Sequence, residues 1–205
     1  MRALGIAAAT AFVAVLLAGV PSTGELRAQT DAVVRPDAAN QVERNAVEYK
    51  SDRLHIVAAH HYSWGDHDPK WLLIDVGIQV LSGSAVTVAR RDFSIVRPNG
   101  VEVPLTSQRD YRRARAELLP LHLQLHTLAM DPVTDYLPRG RCRPTHGFRF
   151  FVDNGIRQTE VYAARSGPCA RGHLYFASPT GTWERGTYTL VIGGDTDVRL
   201  PMEIE

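Results

Sequence analysis

The most regular hydrophobic pattern in the chain is an alternation of apolar and other residues from Trp71 to Val80. One side of the alternation carries Leu72, Ile74, Val76, Ile78 and Val80, and the other side carries Trp71, Leu73, Asp75, Gly77 and Gln79. Successive side chains of a strand point to opposite faces, so a period of two is typical of a half-buried β-strand. The pattern predicts a strand with one face in the core.

Shorter runs of the same kind occur on both sides of this strand. They predict strands over residues 54–62, 86–96, 101–105, 147–152, 158–163, 173–177, 186–192 and 198–204. Turn residues separate them, for example Asn99-Gly100 and Gly193-Gly194-Asp195, which favour tight reversals. About nine short strands at hairpin spacing predict an antiparallel β-sandwich rather than a parallel α/β sheet.

One segment, residues 107–130, interrupts the strands and predicts a helical insertion. Ser107 is a suitable N-cap with an acid at Asp110, and the composition that follows favours helix as far as Leu119. Pro120 is expected to break or kink that helix. Residues 121–130 fit either a strand, because leucines alternate, or a second helix, because His122 and His126 are four residues apart. The helix is the preferred interpretation.

The N-terminus has the pattern of an export signal. Arg2 precedes an uncharged apolar run over residues 3–20, and Pro21 begins a polar stretch. We interpret residues 1–28 as a signal peptide with an N-terminal signal helix, with an uncleaved membrane anchor as the alternative. No cysteine lies near the cleavage region, which excludes a lipid anchor. The protein is therefore expected in the periplasm or outside the cell.

After the signal, the polar residues 29–50 are interpreted as a flexible leader, and residues 51–205 as the folded domain. The two cysteines, Cys142 and Cys169, are expected to form a disulfide in the oxidising compartment to which an exported chain is sent. Such a bridge contributes about 3 to 4 kcal/mol. Their separation is unlike that of a redox-active Cys-x-x-Cys pair.

Composition and charge narrow the function. Apolar residues make up 44% and charged residues 22% of the chain, which is typical of a globular protein. The 23 basic and 22 acidic residues leave a formal charge of +1, so no global field attracts nucleic acid or an acidic membrane. The expected partners are a protein, a glycan or a small anionic ligand, with membrane contact only through an uncleaved signal.

Two groups of arginines are candidate binding residues. The helical insertion carries Arg109, Arg112, Arg113 and Arg115, and Arg139 and Arg141 alternate just before Cys142. Several arginines close together can bind phosphate, sulfate or a carboxylated sugar, because each guanidinium group donates two parallel hydrogen bonds to such an anion. The alternative is an ordinary basic surface.

Histidines are the candidate metal ligands. His60, His61 and His67 lie close to Asp66 and Asp68, and His122 and His126 would share one helix face. Imidazole and carboxylate groups suit Zn²⁺ or Cu²⁺, the only cofactors that the sequence suggests. In the alternative interpretation the first three histidines are solvated at a polar strand end.

No sequence motif specifies a reaction. A Gly-x-Ser-x-Gly elbow, an activated cysteine and a glycine-rich phosphate loop are all absent, so no catalytic residue is assigned. We therefore expect a non-catalytic binding or structural protein. The alternative is a periplasmic metal-handling protein or a hydrolase that uses the histidines and aspartates.

Three stretches together resemble a known family: WLLIDVGIQVLSGS at residues 71–84, FSIVRPNGVEVPL at 93–105 and GHLYFASP at 172–179. They resemble exported immunoglobulin-like bacterial domains, the group of the DUF4352-type lipoprotein domains and the MPT63-like secreted antigens. The resemblance covers residues 52–106 and 172–204. It implies adhesion, ligand binding or structural service outside the cytoplasm, with no shared catalytic residues. The helical insertion and the cysteine loop depart from that pattern.

The insertion is also the predicted location of function. Binding groups are often mounted on segments that vary without disturbing a core, and residues 107–143 contain most of the clustered arginines. In the alternative, the insertion caps an open end of the sandwich with Leu118, Leu119, Leu121, Leu125 and Leu128.

Overall fold

A computed structural model of the chain describes residues 39–61, 69–127, 132–137, 148–164 and 169–205, with the backbone alone described over 122–127. In chain order, the described residues form the strands β1 (Ala39–Glu43), β2 (Ala46–Lys50), β3 (Leu54–His60), β4 (Trp71–Val80), β5 (Val86–Ala89), β6 (Phe93–Val96), β7 (Glu102–Pro104), β8 (Glu160–Ala163), β9 (Ala170–Ala177), β10 (Gly186–Ile192) and β11 (Val198–Ile204). The helices are α1 (Gln108–Arg113), α2 (Arg115–Thr127) and α3 (Pro132–Tyr136). The predicted signal peptide, residues 1–28, lies outside the described residues.

The strands form three antiparallel sheets. The largest has the order β1-β2-β3-β4-β9, the second has the order β11-β10-β6-β7, and β5 pairs with β8. The prediction of a mostly β chain with antiparallel sheets and a helical insertion is confirmed. The predicted closing hairpin is also confirmed, because β10 and β11 pair from Gly186 with Ile204 to Ile192 with Val198.

The two larger sheets share one hydrophobic core. Ile74, Ile78 and Phe176 of the five-stranded sheet belong to the same buried cluster as Ile95 and Leu190 of the four-stranded sheet. These residues occupy alternate positions of their strands, as the period of two predicts. The core therefore lies between the inner faces of the two sheets.

The helices cover the outer face of the five-stranded sheet. Trp71 and Leu73 of β4 pack with Tyr111 and Leu118 of the insertion. Farther along the strand, Gly77 lies beneath Val133 of α3. All ten residues of β4 are therefore buried, and the prediction of a half-buried strand is wrong because α1, α2 and α3 exclude water from the second face.

The N-terminal leader differs from its prediction. Residues 39–50 of the predicted flexible segment form β1 and β2, and β2 pairs with β3 from Ala46 with Ala59 to Lys50 with His55. The leader interpretation is wrong for these residues because an existing strand supplies the backbone partners and a buried site for Val47. Short polar strands of this kind show little periodicity.

The predicted strand over 86–96 is two strands in different sheets. A single 3-10 turn, Arg90–Asp92, separates β5 from β6. The Asp92 carboxylate accepts a hydrogen bond from the Ala89 backbone N–H at 2.8 Å, which replaces a ladder bond at the break. The first half of the segment, β5, therefore pairs with β8, and the second half, β6, pairs with β10.

The predicted strand over 147–152 is not a strand in its described part. Phe148 and Phe150 are buried in the core as expected. The Arg149 N–H, however, donates to the side chain of Gln158 at 2.6 Å, and the Val152 N–H donates to that of Gln108 at 3.3 Å. Side-chain acceptors therefore take two of its N–H groups, and one backbone bond, from the Phe148 N–H to the Arg171 carbonyl at 2.7 Å, joins the segment to β9.

The helical insertion begins as predicted and continues past Pro120. The Ser107 side chain accepts from the Asp110 N–H at 3.1 Å and caps α1. The break falls at Ala114, and Pro120 lies inside α2, so Pro120 does not end the helix. Proline has no backbone N–H, so Pro120 leaves the Ala116 carbonyl without its helical hydrogen bond. Ala116 and Pro120 are both exposed, so water can solvate that carbonyl. The helix extends to Thr127, which supports the helical interpretation of residues 121–127. No helix among the described residues is long and apolar enough to cross a membrane.

Candidate functional site

Helix α1 is held against the sheet by one face and exposes the other. The Tyr111 ring lies 5.2 Å from that of Tyr175 on β9 and 5.0 Å from that of Phe151. Tyr111 is buried, whereas Arg109 and Arg112 are exposed. Aromatic packing therefore fixes the helix and directs its arginines toward solvent.

A second segment, distant in sequence, is attached beside α1. The Gln108 amide donates to the Val152 carbonyl at 2.6 Å and accepts from the Val152 N–H at 3.3 Å. Arg112 Nε also reaches the Val152 carbonyl, at 3.4 Å. These bonds hold the start of the 153–158 loop against the helix and bring Arg157 close to the helical arginines.

The two segments enclose a surface concavity of about 800 Å³. We name it the arginine concavity. Its lining consists of Ser107, Gln108, Arg109, Arg112, Arg113, Gly155 and Arg157. Three of its arginines are predicted binding residues, and the fourth, Arg157, was missed by sequence reasoning because no local pattern links it to residues more than forty positions earlier.

The charge in the concavity is only partly neutralised. Arg113 lies 3.7 Å from the Asp110 carboxylate, an exposed pair within α1. In the described part of the chain, Arg109 and Arg157 have no ion pair or hydrogen bond with another side chain. Burial, and then the nearby charge of Arg157, lower the pKa of Arg90. The concavity is therefore a locally positive site on a chain of nearly zero net charge.

The remaining predicted arginines do not line this site. Arg115 forms an ion pair with Asp153 at 3.1 Å. Arg139 and Arg141 lie outside the described residues, so their part in binding stays a prediction.

The histidines at the end of β3 are not solvated, contrary to the alternative interpretation. His60 is 1% exposed and His61 is 5% exposed. The ring nitrogens of His60 make no hydrogen bond within the described residues. Burial lowers the pKa of His60, outweighing the backbone of Glu203 and the carboxylate of Glu205, which favour the charged form.

Of the predicted metal ligands, the structure describes the side chains of His60 and His61 alone. His67 lies outside the described residues, and the side chains of His122 and His126 are not described. Among the side chains that are described, no group of three or more histidines, cysteines or acids is placed to hold a metal ion. A zinc or copper site therefore stays a prediction.

Of the two cysteines of the predicted disulfide, the structure describes Cys169. Cys169 is buried in a small cluster with Val133 and Leu137 of α3. Cys142 lies outside the described residues, so the pairing of the two cysteines stays a prediction.

A second polar cluster was not predicted. Asp75, buried on the outer face of β4, accepts from Arg171 Nε at 3.2 and 3.1 Å, and Arg171 Nη2 also donates to it. His173 lies 3.8 Å from the same carboxylate. Asp75 is the one charged residue of β4, but the sequence does not indicate that β9 supplies its partners. This forked ion pair joins the two strands.

As a class, the chain is a mostly β protein of antiparallel sheets with a helical insertion. No protein-family model matches it, and no curated protein matches it. The resemblance to DUF4352-type and MPT63-like domains therefore stays a prediction.

Among solved structures, the fold is similar to that of the yjhA protein from Bacillus subtilis, with a TM-score of 0.39 and 12% identity over 77% of this chain and 96% of that one. It is also similar to a candidate lipoprotein, ycdA, from Bacillus subtilis subsp. subtilis, with a TM-score of 0.37 and 10% identity over 77% of this chain and 38% of that one. At these values, neither similarity assigns a family or a function to the chain.

Proposed function

We propose that the chain is an exported, non-catalytic binding protein of the cell envelope or extracellular space that holds an anionic group in the arginine concavity. In this proposal its framework is an immunoglobulin-like β-sandwich formed by the two larger sheets. The export pattern at residues 1–28 supports the compartment. The shared core between the two facing sheets supports the framework.

The observation that carries the proposal is that four arginines line one concavity. Three come from α1 and the fourth, Arg157, comes from a loop fixed to α1 through Val152. Like charges repel, so grouping them without an equal number of acids has an electrostatic cost that a bound anion would offset.

The chemistry of the lining matches an anion. Guanidinium groups donate paired hydrogen bonds to phosphate, sulfate and carboxylate groups. Gln108 and Ser107 already use their side chains in bonds to Val152 and Asp110, so the arginines are the donors left for a ligand. The anion can belong to a small molecule, a glycan or a protein, because all three present the same charged group.

The test is direct binding to two probes, inorganic phosphate and a heparin hexasaccharide, by isothermal titration calorimetry. The triple variant Arg109→Ala, Arg112→Ala, Arg157→Ala should bind the hexasaccharide about tenfold or more weakly, because each lost guanidinium removes charge-assisted hydrogen bonds. Raising the salt concentration from about 50 to 300 mM should lower the affinity of the native chain for the hexasaccharide more than that of the variant.

A matched control removes the same charge elsewhere. Lys50, Arg185 and Arg199 are exposed and do not line the concavity. Their triple alanine variant should retain affinity within about twofold. Equal losses in both variants would mean that the anion responds to total charge and not to this site, and the proposal would be wrong.

A further inference from the structure

A second cavity, of about 630 Å³, lies where the helical insertion meets the ends of three strands. We name it the apolar groove. The sheet side contributes Trp71, Val103, Leu105 and Ala177, and the helical side contributes Ala114 and Glu117. Most of its exposed lining is apolar, as is usual for pockets that bind small molecules.

The groove and the arginine concavity lie on the two sides of α1. Arg113 and Ser107 line both cavities, whereas Arg109 and Arg112 line only the concavity and Ala114 only the groove. One molecule lying across Arg113 would therefore contact guanidinium groups at one end and apolar side chains at the other.

The groove also contains a polar group with unused bonding capacity. Thr106, which lines it, is 7% exposed, and its Oγ1 has no hydrogen-bond partner within the described residues. A buried hydroxyl without a partner is costly unless another group satisfies it. Thr106 precedes Ser107, which lines both cavities, so an oxygen of a ligand's head group at that junction would supply the bond.

The rim opposite the concavity is charged but balanced. Trp71 Nε1 donates to Glu117 at 3.0 Å, and the Lys70 ammonium lies 5.2 Å from the centre of the Trp71 ring. Because Glu117 and Lys70 carry opposite charges, this rim attracts neither anions nor cations strongly. Among the described residues that line the two cavities, the arginines without an acidic partner therefore lie on the concavity side of α1.

We propose that the two cavities together bind one anionic amphiphile, a free molecule with a phosphate, sulfate or carboxylate head and a single alkyl or acyl chain. The head contacts the arginines and the chain lies in the apolar groove. The inference rests on the proposed anion binding and deepens it by naming the class of ligand. A fully polar anion would leave the groove hydrated, and a neutral lipid would leave Arg109 and Arg157 without a partner.

The test uses inorganic phosphate and the hexyl, octyl and decyl phosphates, each below its critical micelle concentration, by isothermal titration calorimetry. Affinity should rise with chain length, up to about fourfold for each methylene that becomes buried. Affinity that is the same for all chain lengths would overturn the inference.

Groove variants separate this inference from the proposed function. Ala177→Leu narrows the groove by three carbon atoms, and Pro179→Glu places a charge on its exposed wall if the first variant does not fold. Each should reduce the gain in affinity per methylene and leave phosphate affinity unchanged. The control Pro98→Glu, at an exposed proline that lines neither cavity, should behave as the native chain.

The outcomes distinguish the two claims. If phosphate and the hexasaccharide bind but the length of the alkyl chain has no effect on affinity, the proposal of an amphiphilic ligand is wrong and the proposal of anion binding stands. If the triple arginine variant binds every probe as tightly as the native chain, both claims are wrong. Binding to anionic phosphatidylglycerol vesicles without binding to free alkyl phosphates would also overturn the amphiphile, in favour of a membrane surface.

Discussion

At the scale of single residues, His60 is a buried histidine on the core side of β3. Its ring nitrogens make no hydrogen bond within the described residues, and burial lowers its pKa. The Glu205 carboxylate, which would favour the charged form, is paired with Arg44. The neutral form is therefore the form that the folded state accommodates.

This environment predicts a loss of stability in acid. Above pH 6.5, the usual pKa, His60 is neutral in both states and has no effect. Below it the unfolded chain binds the proton more readily, so the free energy of unfolding falls by up to about 1.4 kcal/mol per pH unit. Urea denaturation between about pH 7 and 5 measures the slope, and His60→Leu should flatten it.

The outer-face variant His55→Gln is the control for this slope. His55 lies on the other side of β3, where its Nε2 contacts Glu48 at 2.5 Å. The His55→Gln variant should lose free energy of unfolding below pH 6.5 with the same slope as the native chain. If His60→Leu and the native chain lose stability equally, His60 does not cause it.

At the scale of elements, the contact between α3 and β4 depends on the absence of a side chain at Gly77. A Cβ at that position would lie 2.7 Å from Val133 Cγ1 and would also contact Leu137 Cδ1 too closely. Both neighbours are fully buried, so they cannot move into solvent. The glycine is what lets the helix lie on the sheet.

Gly77→Ala should therefore destabilise the fold by about 1–3 kcal/mol, the usual cost of overpacking a core. Urea denaturation of the native chain and the variant gives the difference. Gly193→Ala is the control, because its nearest neighbour, Asp92, would lie at 3.5 Å, an ordinary contact. Equal stabilities of the two variants would contradict the packing argument.

The helical insertion also illustrates how one element serves two purposes. Leu118 and Leu121 are buried over Trp71 and Tyr175, as the capping alternative requires, although they cover a sheet face and not an open end. Leu119 is 55% exposed, and the arginines of α1 face solvent. The buried face fixes the helices, and the exposed face is available for binding.

At the scale of the whole molecule, the export prediction can be checked without disturbing the fold. The sequence offers two cleavage sites, after Ala28 and after Gly24. The described fold begins with β1 at Ala39, beyond both sites, so removal of the signal would leave the described strands intact. N-terminal sequencing of the protein from the exported fraction should begin near Gln29 or Glu25. Recovery of an intact Met1 from membranes would favour the anchor instead.

The sequence by itself determined the features that depend on neighbouring residues. The strand β4, the hairpin of β10 and β11 and the Ser107 cap follow from backbone geometry over a few positions, and all three are present. The arginines of α1 were recognisable for the same reason.

Only the tertiary structure decided what distant segments do to one another. It covered the second face of β4 with helices, buried His60 and His61, and brought Arg157 beside Arg109. Periodicity reports which side of a strand is apolar, but it carries no information about which remote segment will cover the other side. Burial and charge in this protein therefore depend on contacts between segments far apart in the chain, and a local pattern does not contain them.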